Sequence, residues 1–224
     1  MIIKIIDKIV NTIVFVIILF FIFLGSYSLY ASYKIYNEST QKIEYEEVIN
    51  DNEQIINKDI IGHIKIYNTI IDYPVLQGKD NKKYLTTNYK NEYSISGSIF
   101  LDYRNDPNLN DDFSIIYGHN MSYKAMFSEL KEYKNTSYFN NHNKGILDVG
   151  DKSYEITILL YKEVNTYDDI PYNLYLYKNN HNDLIYKTLS SKDGNYDKLL
   201  VLSTCSSSNK NKRVILIALL TSFT

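Results

Sequence analysis

Cysteine and arginine are the scarce residues of this 224-residue chain: one cysteine, Cys205, and two arginines, Arg104 and Arg213, among 24 basic residues. A lone cysteine excludes an intramolecular disulfide framework and any cysteine-rich metal site. The four histidines, His63, His119, His142 and His181, show neither HxxxH nor HExxH spacing, so neither a metal nor another cofactor is expected. A net charge of −2, with no basic run beyond short pairs and triplets such as KNK at 210–212, excludes an electrostatic nucleic-acid footprint. The lysine excess, with abundant Asn, Ile and Tyr, reads as drift toward AT-rich codons. An arginine kept against that drift marks a place where a planar fork does what an ammonium cannot.

Charge is also missing from residues 9–31, IVNTIVFVIILFFIFLGSYSLYA, of which 13–24 are uninterrupted apolar. As a helix this stretch crosses a hydrocarbon core of about 30 Å. Lys4 and Lys8 precede it with only Asp7 opposing, which places residues 1–8 in the cytoplasm. A cleaved signal peptide is the competing reading. The apolar region is long for one, and LYA puts Leu29 where a small residue is needed. The expectation is an uncleaved single-pass anchor in the cell membrane with the rest of the chain extracellular. There a lone thiol is not half of a disulfide within the chain. Residues 32–58 lack Gly and Pro and carry Ile43, Val48 and Ile55 at helix-like spacing, predicting one or two helices that serve equally as a stalk or a lid.

From residue 59 to 224 the character changes to short β-rich runs. Strands are predicted at 61–67, 70–76 (with Pro74 near its end), 98–102, 113–117, 145–149, 153–163, 199–204 and 213–220. A short helix opened by an Asp80 cap is expected near 80–88, and another at about 124–133. In the long connection 164–197, Leu174, Tyr177, Leu184, Ile185 and Leu189 recur at helical spacing, predicting a helix packed on the sheet. Eight strands with few helices give a mostly-β domain, barrel or sandwich.

Cys205 ends the seventh predicted strand and Arg213 opens the eighth, so in an antiparallel pair the two positions face each other. A cation favours the thiolate, and a guanidinium can hydrogen-bond an oxyanion developing on an attacked carbonyl. Acyl transfer by a thiol also needs a proton partner. His119, in SIIYGHNM just past a β-run, is the best placed, with Gly118 allowing a turn before it. His63 lies inside a predicted strand, and His142 and His181 lie in Asn-rich stretches where a solvated ring is expected. Taken alone, a single cysteine is more often a small buried hydrophobe than a catalyst.

The same residues carry a family resemblance. VLSTC ending at Cys205, Arg213 eight positions on, and YGHNM around His119 resemble the signatures of sortases, membrane-anchored cysteine transpeptidases of Gram-positive bacteria. IDYPVLQGKDNKKYL (71–85) and SGSIFLDYRN (96–105) resemble the class B members, as does the helix-bearing insertion before the cysteine strand. The resemblance implies an eight-stranded sortase-type β-barrel over 59–224, with Cys205, His119 and Arg213 converging on a groove. It implies that Cys205 attacks the Thr carbonyl of a C-terminal sorting signal of the Asn-Pro-X-Thr-Asn kind. His119 then protonates the departing amine, and an amine acceptor, from a peptidoglycan precursor or a pilin, resolves the thioacyl enzyme. Arg213 would stabilise the oxyanion or hold the substrate, Thr204 would help line the oxyanion hole through its hydroxyl or backbone, and Tyr117 and the helix at 173–190 would form the groove wall. The partners implied are secreted proteins bearing the signal. Ser206, Ser207 and Ser208 offer no acid where some class B members have one. Arg104 in DYRN reads as half of an ion pair with Asp102 or Asp106.

Three rivals stand beside this. L,D-transpeptidases pair Cys with His, but theirs follows a Ser-x-Gly motif, whereas LST precedes Cys205. A papain-like protease needs a helix to begin at the cysteine, and CSSSNKNKRVIL does not read as one. The non-enzyme alternative is an inactive sortase-like or other membrane-anchored peptide-binding module.

Overall fold

The computed structural model describes residues 2–40, 57–121, 125–165, 198–205 and 211–223. The chain divides into two units, Met1–Glu38 and Ser39–Thr224. The first is built on one helix, α1 (Ile2–Thr40). Its apolar side chains are exposed, and over Ile2–Lys34 it is long and apolar enough to cross a membrane. It runs through the whole predicted span and on into the segment expected to be helical; residues 41–56 of that segment lie outside the described residues.

The second unit is mostly β. Its strands are β1 (Ile60–Ile66), β2 (Asp72–Leu76), β3 (Ile99–Leu101), β4 (Phe113–Tyr117), β5 (Lys144–Val149), β6 (Lys152–Asn165), β7 (Lys198–Cys205) and β8 (Lys212–Ser222). They close into a barrel in the order β1-β2-β3-β4-β7-β8-β6-β5. The eight strands stand where the β-rich runs predict them, and closure removes the free edges an open sheet would expose. β2 pairs β3, and β4 pairs β7, in parallel; the other pairs are antiparallel.

Alternation sorts the side chains. Leu200 and Leu202 of β7 and Val214, Leu216 and Ala218 of β8 join one core cluster with Ile64, Leu147 and Ile156. Leu199, Val201, Ile215 and Ile217 join Phe113 and Ile115 in a second. Strands buried on both faces read as unbroken apolar runs, which is why LLVL and VILIALL carry no polar alternation.

The helices between strands differ from expectation. In place of a helix over 124–133 there is a 3-10 helix at Ser128–Lys134, followed by α2 (Thr136–Asn141). Met126 holds φ +54 and bridges Asn120, so regular helix cannot start until after it. Asn135 then stops the 3-10 segment and caps α2, its side chain accepting from the Ser137 and Tyr138 N–H groups. Asp80 Oδ1 accepts from the N–H of Lys82 (2.8 Å) and Lys83 (2.9 Å), but it is not the cap of a helix over 80–88: only a 3-10 turn forms, Lys83–Leu85, and its N-cap position is Lys82. The helix expected between β6 and β7 lies outside the described residues.

Candidate active site

Register brings the candidate residues together. In the antiparallel β7–β8 ladder, Cys205 stands directly opposite Arg213. In the parallel β4–β7 ladder, Tyr117 pairs Ser203, and the Gly118 N–H donates to the Ser203 carbonyl at 3.1 Å. Two residues beyond that pair on each strand lie His119 and Cys205. Positions 119, 205 and 213 therefore stand level at one mouth of the barrel, on three consecutive strand lines.

A cleft of about 280 Å³ opens at this mouth. Tyr117, Gly118 and His119 line it from the end of β4, Ser203 and Thr204 from β7, and Arg213 from β8. Asn81, Leu85 and Phe100 complete the wall. Beneath it, Tyr84 and Phe100 pack with Leu76, and the Phe100 and Tyr117 rings lie 5.4 Å apart. Thr204 is buried, and its Oγ1 finds no hydrogen-bond partner among the described residues.

His119 is held from the far wall: its Nε2 lies 2.8 Å from the Leu85 carbonyl. A carbonyl only accepts, so Nε2 carries a proton, and in the neutral ring Nδ1 is the basic nitrogen. Gly97 makes this wall. It holds φ +59, and a Cβ there would stand 2.3 Å from the Tyr84 carbonyl oxygen and 2.8 Å from that of Leu85. Gly118 acts by close packing, since a Cβ would meet Ile99 Cδ1 at 2.5 Å and the Phe127 ring at 2.7 Å. Among the described residues the positive-φ glycines are Gly97 and Gly150, so Gly118 is required for its lack of a side chain and not for a left-handed backbone. The His119 segment is closed by the Phe127 N–H donating to the His119 carbonyl at 3.0 Å.

The other histidines sit apart. His63, inside β1 as expected, is buried with Nε2 2.9 Å from Asp72 Oδ1. His142 is half-buried rather than freely solvated: it caps α2, its Nδ1 lies 2.7 Å from the Tyr138 carbonyl, and its ring stacks on Tyr138 at 3.9 Å. His181 lies outside the described residues. Arg104 forms the expected ion pair, with Asp102 at 2.8 Å. Asn81, Leu85 and Phe100 were not singled out from sequence. Asn81 stands in KDNKKYL, where the only readable signal was a helix cap. Among the described residues, no three His, Cys, Asp or Glu side chains are placed to hold a metal ion.

Comparison with known proteins places the chain in a family. Residues 64–221 match the family model of the sortase domain. The chain is 37% identical over 161 residues to sortase B of Listeria monocytogenes, a match taking in 68% of this chain and 65% of the Listeria protein's length. It is 34% identical over 180 residues to sortase B of Staphylococcus aureus, covering 73% of this chain and 70% of that protein. The solved sortase B–substrate complex of S. aureus superimposes with a TM-score of 0.63 at 32% identity, over 75% of this chain and 82% of that one.

Proposed function

Because this chain belongs to the sortase family of cysteine transpeptidases, and to its class B branch, we propose that it cleaves a C-terminal sorting signal after Thr and joins the released protein to a cell-wall amine. The observation that carries this is the shared level of positions 119, 205 and 213 beside one cleft.

The Cys205 sulfur attacks the Thr carbonyl carbon while the thiol proton passes to His119. Arg213, which lines the cleft, donates to the oxyanion, and Thr204, also a lining residue, helps form the hole. His119 returns the proton to the departing amine nitrogen as the C–N bond breaks, leaving a thioacyl enzyme. An acceptor amine, from a peptidoglycan precursor or a pilin, then gives a proton to His119 and attacks. The new C–N bond forms, the C–S bond breaks, and the thiol recovers its proton. With Nε2 engaged on Leu85, Nδ1 is the nitrogen that carries these transfers. Tyr117 forms part of the peptide-binding wall. The S. aureus relative has been solved with a substrate, which supports substrate binding in the cleft; the sequence resemblance is what suggests a signal of the Asn-Pro-X-Thr-Asn kind.

Residues 9–31 are the membrane anchor, 1–8 its cytoplasmic tail, 32–58 a stalk and 59–224 the extracellular catalytic domain; the apolar α1 supports this arrangement.

The test uses the full chain in detergent with sorting peptides varied at positions one, three and five, and mass spectrometry for cleavage after Thr and a thioacyl adduct. Cys205→Ala and His119→Ala should fall by at least about 10³-fold, and Arg213→Lys by about 10²-fold. No cleavage or adduct, with Cys205 also inert to a small methanethiosulfonate, would instead favour a binding module.

A further inference from the structure

Asp102 is fully buried just past β3, and its carboxylate gathers donors from three segments of the chain. Arg104 gives Oδ1 its backbone N–H and its Nε–H, both at 2.9 Å, and gives Oδ2 its terminal N–H at 2.8 Å. Oδ2 also accepts from Asn81 Nδ2 and from the Tyr117 hydroxyl, each at 3.0 Å. Burial alone would raise the Asp102 pKa; the bonds from Arg104 and Asn81 outweigh it and keep the carboxyl below its ordinary value.

Asn81 and Tyr117 come from different segments and both line the cleft. An ionised carboxylate only accepts, so the one hydroxyl hydrogen of Tyr117 is committed to Asp102. Toward anything else the Tyr117 oxygen then acts as an acceptor. Asn81 is fixed at both ends, for its Oδ1 accepts the Tyr103 N–H at 3.0 Å while one of its two N–H groups goes to Asp102. Its second N–H has no acceptor among the described residues and serves as a donor.

We propose that Asp102 is a positioning residue for peptide recognition: it sets Asn81 as a donor and Tyr117 as an acceptor on one cleft wall, a pair that answers the C=O and N–H of a bound peptide. Arg104 is its support rather than a group that touches substrate. The inference rests on the sortase reading, because the peptide in the cleft is the sorting signal.

The test is steady-state cleavage by the full chain in detergent. Asp102→Asn keeps the shape but loses the charge and frees the Tyr117 hydrogen. KM should rise about tenfold with kcat within about twofold, and Cys205 should react with a small methanethiosulfonate at the parent rate. Tyr117→Phe added to Asp102→Asn should raise KM by no more than about a further twofold, because the two act as one unit. A fall in kcat at unchanged KM, or fully multiplicative effects of the two changes, would overturn the assignment. Should Asp102→Asn not fold, Arg104→Gln at a side chain 40% exposed carries the test. A KM about threefold higher at unchanged kcat supports the proposal, and an unchanged KM refutes it. A parent chain that cleaves no sorting peptide would overturn the sortase reading and this inference together, whereas an active parent with an unaffected Asp102→Asn variant would overturn this inference alone.

Discussion

His63 is 7% exposed on β1, with Asp72 Oδ1 at 2.9 Å, Asp148 opposite it in the β1–β5 ladder, and Lys65 bonded to the other Asp72 oxygen. Burial lowers its pKa from the usual 6.5, and the pull of Asp72 and Asp148 does not make up the difference. The unfolded chain therefore binds this proton more readily than the folded one. The stability contributed is complete above about pH 6.5 and is lost as pH falls through the lower folded value. Thermal melts of the parent should lose stability below about pH 6.5, and His63→Gln should flatten that part of the curve; parallel curves would show that other groups govern it. Gly97 matters at the same scale. Gly97→Ala should destabilise by about 1–3 kcal/mol through strain at φ +59, and should cut peptide cleavage as well, because the displaced Leu85 carbonyl carries His119. Urea melts beside turnover assays read both; a stability loss with full turnover would uncouple the wall from the ring.

Among the elements, the β3–β4 connection depends on one side chain that no pattern advertises. Asn105, 4% exposed, donates from Nδ2 to the Phe113 carbonyl (2.8 Å) and Asp111 Oδ2 (2.9 Å), and its Oδ1 accepts the Ile115 N–H (3.0 Å). It supplies polar partners at the start of β4, the strand that ends at the His119 segment. Asn105→Ala leaves a buried N–H and C=O unanswered and should cost about 2–4 kcal/mol, measured by chemical denaturation; a loss within about 0.5 kcal/mol would mean water replaces the amide. The strands themselves were legible because β-rich runs bounded by turns leave little choice, and β4 occupies the predicted 113–117. The segment after His119 was not. Its apolar spacing suited a helix, but the left-handed Met126 and the hydrogen bonds of Asn135 are local backbone facts that periodicity does not carry. The Asn135-Thr-Ser run before α2 does carry a readable cap.

For the whole molecule, the Cys205–Arg213 pairing was legible because a single hairpin sets it. The placement of His119 beside that hairpin followed from resemblance, since nothing in local spacing says that β4 and β7 are neighbours. Asp102 was legible as a partner for Arg104, two positions on, but its bonds to Asn81 and Tyr117, 21 and 15 positions away, were not, because they follow from tertiary packing and from the β3–β4 pairing. The parallel β4–β7 pair joins residues 113–117 to 199–203, across most of the domain. Contacts this distant in sequence pay a large loop-closure entropy and form late, so a barrel of this kind folds slowly. The thiol and the imidazole are thus strangers in the nascent chain. A polypeptide still emerging, or truncated before β7, holds His119 without a nucleophile, and one that has not closed its barrel holds both without bringing them level. The proposed thiol–imidazole pair is therefore a property of the closed barrel alone.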